Sequence, residues 1–174
     1  MTDPEFREAY CRHKDVLYRF AWRMTGSPAS AEDAVHDCFL ILLRNPSGYN
    51  AARGTLRSFL IGVTRNLALK QLRGQSRFDE FDDENEDNAA PSLPDLDGGS
   101  RAGMIARAVA SLPPLQREVL ILAEYEEMTL EEISRVAGAE LAAVKSRLHR
   151  ARENMRRMLA PLLDQKGIAS GTNR

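Results

Sequence analysis

Two sets of side chains in this 174-residue chain are of types that do chemistry. The first is cationic. Between Ala139 and Arg157 stand six Lys/Arg against two Glu, an excess of +4 that suits several phosphate contacts and a strong salt dependence. On a helix, Ser146, His149, Arg150, Glu153 and Arg157 project from one side, opposite Val144, Leu148, Ala151, Met155 and Met158. Base edges would be read from the N-terminal half by Ser146, Arg147 and Arg150, with Lys145 and Arg157 better placed for phosphates. A basic helix face can also be merely solvated, so the deciding feature is what precedes it. The second set is Cys11, His13, His36 and Cys38, all of zinc-ligand type. Side chains at i and i+2 of a helix point about 200° apart, so each pair presents only one ligand well to a common metal. Buried free thiols, with no metal and no cofactor, are the preferred reading. No Walker loop, paired-glycine dinucleotide motif or nucleophile elbow is present, and Asp95-Leu-Asp-Gly lacks the later ligands of a calcium loop.

The elements that must position these groups are helical, and no strand-like alternation of useful length occurs. A first helix is predicted from about Pro4 to Met24, stopped at Gly26, with Phe6, Tyr10, Leu17, Phe20, Ala21 and Met24 near helical spacing. Ser30 with Asp33 reads as a capping box opening a second helix to about Arg44, ended by Asn45-Pro46-Ser47-Gly48. Thr55 caps a third, in which Leu56, Phe59, Leu60, Val63 and Leu67 make one apolar stripe until Gly74. After a long polar gap come helices near Arg101–Ala110 and Leu115–Glu124, the latter with Val119, Leu120 and Leu122 as core candidates. Thr129 and Glu132 then box a short helix that Gly138 closes, and a long helix runs to about Leu163. A short helix, a glycine turn and a longer basic helix make a helix-turn-helix, whose second helix enters the DNA major groove.

Charge divides the chain into three. Residues 1–75 carry +4, 76–100 carry −8 and 101–174 carry +3, which restores the overall −1. Basic blocks suit a polyanionic partner, whereas the acidic stretch lacks the apolar area to offset its ordering entropy. The expected fold class is therefore all-α, with two small helical domains at 1–75 and 101–163, a flexible acidic linker at 76–100 and a mobile tail at 164–174. The linker could shield the basic faces of the free protein. With 43% hydrophobic and 28% charged residues the chain reads as globular, and its longest apolar run, Phe39 to Leu43, is too short to cross a bilayer. The start at Met1-Thr-Asp-Pro-Glu lacks the features of a signal peptide, and two cysteines are too few for a disulfide scaffold, so a cytoplasmic protein without membrane insertion is expected.

Several segments resemble the bacterial sigma-70 family, in its extracytoplasmic-function group. Leu112-Pro-Pro-Leu-Gln-Arg-Glu-Val-Leu, Met128-Thr-Leu-Glu-Glu-Ile-Ser and Val144-Lys-Ser-Arg-Leu-His-Arg-Ala-Arg are similar, in order and spacing, to the region that binds the promoter minus-35 element. Ala31-Glu-Asp-Ala-Val-His-Asp-Cys-Phe-Leu and Arg57-Ser-Phe-Leu-Ile-Gly-Val-Thr-Arg-Asn-Leu-Ala-Leu resemble the region that binds core polymerase and opens the minus-10 element. The resemblance implies a non-enzymatic factor that lends promoter specificity to RNA polymerase core, with promoter DNA and an anti-sigma protein as further partners.

By that resemblance Asp33, His36, Asp37, Leu40 and Arg44 would face the polymerase clamp, although ordinary helix packing is the alternative. The run Phe39-Leu-Ile-Leu-Leu is more apolar than burial against one neighbour requires, which favours a partner surface. Tyr49, Asn50 and Arg53 would lie in a base-capturing loop, with Arg57, Arg65 and Asn66 on the helix beside it. Arginine can hold phosphate or stack, asparagine can pair with a base edge and tyrosine can stack; Tyr49 could equally cap the core as a loop aromatic. The sequence departs from the family pattern at His36 for Gln, Asp37 for Glu, Phe59 for Trp, Leu43 for another aromatic, and Ala142-Ala143 for Gly-Thr. Two alternatives stay open: a stand-alone helix-turn-helix regulator, which would use only the second block, and a metal or redox sensor through Cys11, His13, His36 and Cys38.

Overall fold

A computed structural model of the chain describes residues 1–75 and 100–169. Among them the secondary structure is helical: α1 (Asp3–Thr25), α2 (Pro28–Arg44), α3 (Leu56–Gln75), α4 (Arg101–Ser111), α5 (Pro114–Glu124), α6 (Leu130–Ala137) and α7 (Leu141–Ala169). Two short 3-10 turns, Pro46–Gly48 and Ala51–Arg53, join α2 to α3. The linker expected at 76–100 lies outside the described residues but for Ser100, as does the shielding role suggested for it.

Local chemistry accounts for most helix ends. Gly26 (φ 69°) and Gly138 (φ 62°) adopt the left-handed conformation that closes α1 and α6, which only glycine enters without strain. Thr129 accepts from the Glu132 N–H at 3.2 Å while the Glu132 carboxylate accepts from the Thr129 N–H at 2.8 Å, the reciprocal box expected there. Thr55 accepts from the Ser58 N–H at 3.1 Å at the start of α3. The start of α2 differs from expectation. Its cap is Ser27, whose hydroxyl accepts from the Ser30 N–H at 3.2 Å, so Ser30 lies inside the first turn. Pro28 is the reason: its fixed φ and missing N–H suit a first helical position, and the helix begins three residues early. At the other end of the chain α7 continues past Leu163 to Ala169, so residues 164–169 of the expected tail are helical.

In the N-terminal half α1 packs against α2 and α3, and α2 against α3, around Leu17, Phe20, Met24, Cys38, Phe39, Leu42, Leu60 and Ile61. In the C-terminal half α5 packs on α6 and α7, and α4 on α7, around Leu112, Val119, Leu120, Ile121, Ile133, Val144, Leu148 and Ala151. Burying each such side chain stabilises the fold by about 1.5–3 kcal/mol. The halves also meet: α1 packs on α4 and α5, and α3 on α6, so that one apolar core runs through both. This contact explains a difference on α3. Of the predicted stripe Leu60 is buried, whereas Leu56, Phe59, Val63 and Leu67 are only half-buried, and Ile61, Thr64, Ala68 and Leu69, outside the stripe, are buried. A helix covered on two sides buries a wider and differently centred arc than one docked on a single neighbour. Met158, expected on the packed side of α7, is exposed, while the following Leu159 and Ala160 are half-buried.

Candidate nucleic-acid interface and partner face

The segment between α2 and α3 reverses twice within eleven residues. Asn50 caps the second turn by accepting from the Ala52 N–H at 2.9 Å, and Gly54 (φ 152°) leads into the Thr55 cap. The loop encloses a cavity of about 700 Å³ lined by Tyr49, Asn50, Arg53, Thr55, Phe59 and Asn66. Tyr49 is half-buried, its ring tilted on Phe59 with centroids 5.7 Å apart. It therefore packs on the core and lines the cavity at once. Phe59 supplies an apolar face and no donor. Asn66 and Asn50 are exposed, with the Asn66 carbonyl oxygen accepting from Arg65 at 3.1 Å. An aromatic wall, amide groups and a nearby guanidinium are the groups that hold an unstacked base.

Arg57 and Arg65 lie on α3 beside the loop, and both turn toward the C-terminal half, Arg65 largely buried and Arg57 38% exposed at its side chain. Arg65 makes a two-pronged pair with Glu118 of α5, Nε to Oε2 at 2.5 Å and Nη2 to Oε1 at 2.9 Å. Arg57 meets the Glu126 carboxylate at 2.5 Å. Glu118 is fully buried and Glu126 nearly so, which is tolerated only because a cation faces each. Burial pushes the Glu126 carboxyl above its ordinary range, opposed by Arg57, Arg23 and Arg19. Three more ties cross the seam among the described residues. Arg117, 1% exposed, donates to the Met24 carbonyl at the end of α1 and to the carbonyls of Ala110 (2.7 Å) and Leu112 (2.9 Å). The Arg23 guanidinium lies 4.0 Å from the Tyr125 ring centre. Arg135 and Val136 of α6 complete the wall of the loop cavity, Arg135 donating to the Arg53 carbonyl at 3.4 Å.

Sequence reasoning missed Arg117, Glu118, Glu126 and Arg135. A signal existed for two of them: Arg117-Glu118 is a charge doublet directly before the buried run Val119–Leu122, where solvation cannot reach it.

On α7, Val144, Leu148 and Ala151 are buried while Lys145, Ser146, His149, Glu153 and Arg157 are exposed, and Arg147 and Arg150 are half-buried. The Arg150 guanidinium donates to Ser146 at 2.9 Å, and His149 lies 3.4 Å from Glu153. Arg157 donates to Asn154, whose amide donates to Gln116 of α5 at 2.8 Å, and Arg152 holds Glu124 at 2.7 Å. The C-terminal end of the face is thus tied to α5, and Lys145, Ser146 and Arg150 are grouped near its start.

The α2 face divides. Asp33, His36 and Leu40 line a groove of about 670 Å³ together with Phe6, Tyr10, Lys14, Phe39 and Leu43, whereas Asp37 and Arg44 are exposed outside it. Tyr10 packs on Phe39 with centroids 4.9 Å apart. Leu43, which lines the groove, is 53% exposed, and Ile41, outside its lining, is 40% exposed. The Cys/His set is scattered by burial: Cys11 and His36 are exposed, His13 and Cys38 buried. Among the described residues no three His, Cys, Asp or Glu side chains are grouped as a metal ion would need. Cys38 donates to the Leu60 carbonyl at 3.5 Å, and burial pushes its thiol up to about 11. His13 is held below its ordinary range by burial first, then by the charges of Arg12 and Arg57. Among the described residues no helix is long and apolar enough to cross a membrane.

Residues 9–78 match the family description Sigma-70 region 2, and residues 102–155 match Sigma-70, region 4. The RNA polymerase sigma factor CarQ of Myxococcus xanthus is 30% identical over 159 residues, covering 90% of each chain. The chain belongs to the sigma-70 family. Within it the relatives are of the extracytoplasmic-function (ECF) group: SigL of Mycobacterium tuberculosis is 31% identical over 90% of this chain and 89% of its own. SigE of Mycolicibacterium smegmatis is 32% identical over 90% of this sigma-70 family chain, which spans 62% of that longer relative. The fold of sigma factor RpoE from Bartonella quintana, solved with the anti-sigma factor NepR, superposes with a TM-score of 0.70 at 23% identity, covering 90% of this chain and 97% of that one.

Proposed function

We propose that this ECF sigma factor binds RNA polymerase core and directs transcription initiation at promoters carrying minus-10 and minus-35 elements. It is not an enzyme; it supplies base recognition to one. The N-terminal module, residues 1–75, presents the α2 groove to core through Asp33, His36 and Leu40, with Asp37 and Arg44 at its border. The same module takes the melted minus-10 strand at Tyr49, Asn50, Arg53 and Asn66, with Arg57 and Arg65 on phosphates. Residues 76–100 link it to the minus-35 module at 101–163, where Ser146, Arg147 and Arg150 read bases and Lys145 and Arg157 hold the backbone. The factor works in the cytoplasm, where the polymerase is. An anti-sigma protein is its regulatory partner, a reading supported by the complex in which the Bartonella relative was solved.

The observation that carries this reading is the first module: a loop cavity walled by Tyr49 and Asn66 and, on α2, a groove to which Phe39, Leu40 and the exposed Leu43 give apolar surface. A stand-alone helix-turn-helix regulator needs neither feature, and would act as a dimer on palindromic duplex. Retention of purified core polymerase on the tagged chain at moderate salt, followed by run-off transcription on genomic fragments, tests it. No retention, or no new transcript, rejects the sigma reading.

A further inference from the structure

The loop cavity brings together groups beyond those that an unstacked base alone engages. Tyr49 and Phe59 give it aromatic surface, Asn50 and Asn66 bring amides that donate and accept, and its volume of about 700 Å³ falls within the about 300–1,000 Å³ of small-molecule sites. Two arginines share the lining with them, Arg53 from the loop and Arg135 from α6, and Arg135 donates to the Arg53 carbonyl at 3.4 Å. Elsewhere on the seam Arg65 faces Glu118 and Arg57 faces Glu126, yet no acidic side chain lines this cavity among the described residues. The positive charge gathered there is balanced by nothing in the lining and suits an anion held from two sides. Gly62 opens the α3 wall between Phe59 and Asn66, and a Cβ at that position would meet nothing within 4 Å. The glycine therefore leaves depth for a flat ring rather than relieving a clash.

We propose that the cavity is a binding site for a free nucleoside phosphate, with the base against Tyr49 and Phe59, Asn66 on its edge, and the phosphate between Arg53 and Arg135. An aromatic wall, an amide and a pair of guanidiniums complement a base joined to a phosphate, whereas neither a bare anion nor an apolar ligand uses all three. Arg135 lies on α6, outside the strand contacts assigned above, so this site differs from the strand site by a residue of the C-terminal half. A ligand that touches both halves stabilises their contact by mass action, and it competes with a melted strand for Tyr49 and Asn66. Nucleotide supply then sets how readily the factor takes up DNA. The site shares Tyr49 and Asn66 with the strand-binding reading and rests on their fitness to hold a base.

The test titrates the full chain, without polymerase, with ATP, adenosine and pyrophosphate by calorimetry. ATP should bind at least about tenfold more tightly than either fragment, because each fragment leaves part of the lining unused. Arg135→Ala should weaken ATP binding about tenfold, the effect of losing one charged hydrogen-bond donor, and Gly62→Leu, whose side chain fills the cavity, by at least as much. Thermal unfolding shows which variants are folded, and Arg135→Ala alone decides if Gly62→Leu is not. No ATP binding, pyrophosphate binding as tight as that of ATP, or ATP binding unchanged in the folded variants overturns the nucleotide site. Tyr49→Ala and Asn66→Ala separate it from the strand reading. If they impair promoter opening by the reconstituted holoenzyme while the parent chain binds no ATP, the nucleotide site alone falls; if they weaken ATP binding and leave promoter opening intact, the strand reading alone falls.

Discussion

Replacing Arg117 with methionine should destabilise the protein by about 1.5–6 kcal/mol, although no acidic partner is lost. Arg117 is a buried cation held by three backbone carbonyls, those of Met24, Ala110 and Leu112. Burial lowers its pKa from 12.5 to about 10, which corresponds to a desolvation cost of about 3 kcal/mol. Hydrogen bonds from a charged donor contribute about 1.5–3 kcal/mol each, so three of them outweigh that cost by about 1.5–6 kcal/mol. Methionine fills much of the volume but donates nothing, leaving carbonyls at the ends of α1 and α4 buried without partners. Arg117→Ala should lose about a further 1–2 kcal/mol to the void. Urea unfolding followed by circular dichroism gives the values, provided the slope is unchanged. Because Met24 belongs to the N-terminal half, the variant should also unfold in two steps where the parent unfolds in one. A methionine variant within about 1 kcal/mol of the parent, unfolding in a single step, would refute the clamp.

Further outcomes follow from the same geometry. His13 has a folded pKa below 6.5, so the unfolded chain binds its proton first and stability falls as pH drops from 6.5 through the folded value. Glu126, raised by burial, acts in the opposite sense as pH falls toward 4.5, so the difference between the parent and His13→Gln in thermal midpoint against pH isolates the histidine. An imidazole titrating at or above 6.5 by NMR would contradict this. Cys11 should react with a thiol reagent in the native protein and Cys38, buried with its thiol pushed up to about 11, only after denaturation; two fast equivalents would be incompatible with that burial. Leu43→Asp should weaken core polymerase retention about tenfold or more while leaving the unfolding midpoint nearly unchanged, since Leu43 is 53% exposed. Unaltered retention would remove the α2 border from the partner face. Gly138→Ala should cost about 1 kcal/mol in urea unfolding, because φ 62° strains any Cβ.

Much of the fold is legible locally. Thr55, Gly26, Gly138 and the Thr129/Glu132 box mark helix ends by hydrogen bonds within four residues, and the structure places them where spacing predicts. Ser30 misled because Ser-x-x-Asp satisfies the same rule as the true cap, and Pro28 outranks it. Of the candidate site, position was legible: Tyr49, Asn50 and Asn66 line one cavity, and Lys145 and Ser146 lie exposed on α7. Pairing was not legible at Arg57 and Arg65, since nothing near them in sequence tells a free guanidinium from a paired one.

The amino-acid order by itself determined the all-α class, the helix boundaries to within a turn except the end of α7, the helix-turn-helix and the residues that carry charge or aromatic surface. Those properties come from backbone propensity, caps and 3.6-residue periodicity, which act over a few positions. Only the tertiary structure decided that Arg65 and Arg57 meet Glu118 and Glu126 and that α6 covers the loop cavity. A buried ion pair forms when two distant surfaces dock and exclude water together, and that event has no local trace in the chain.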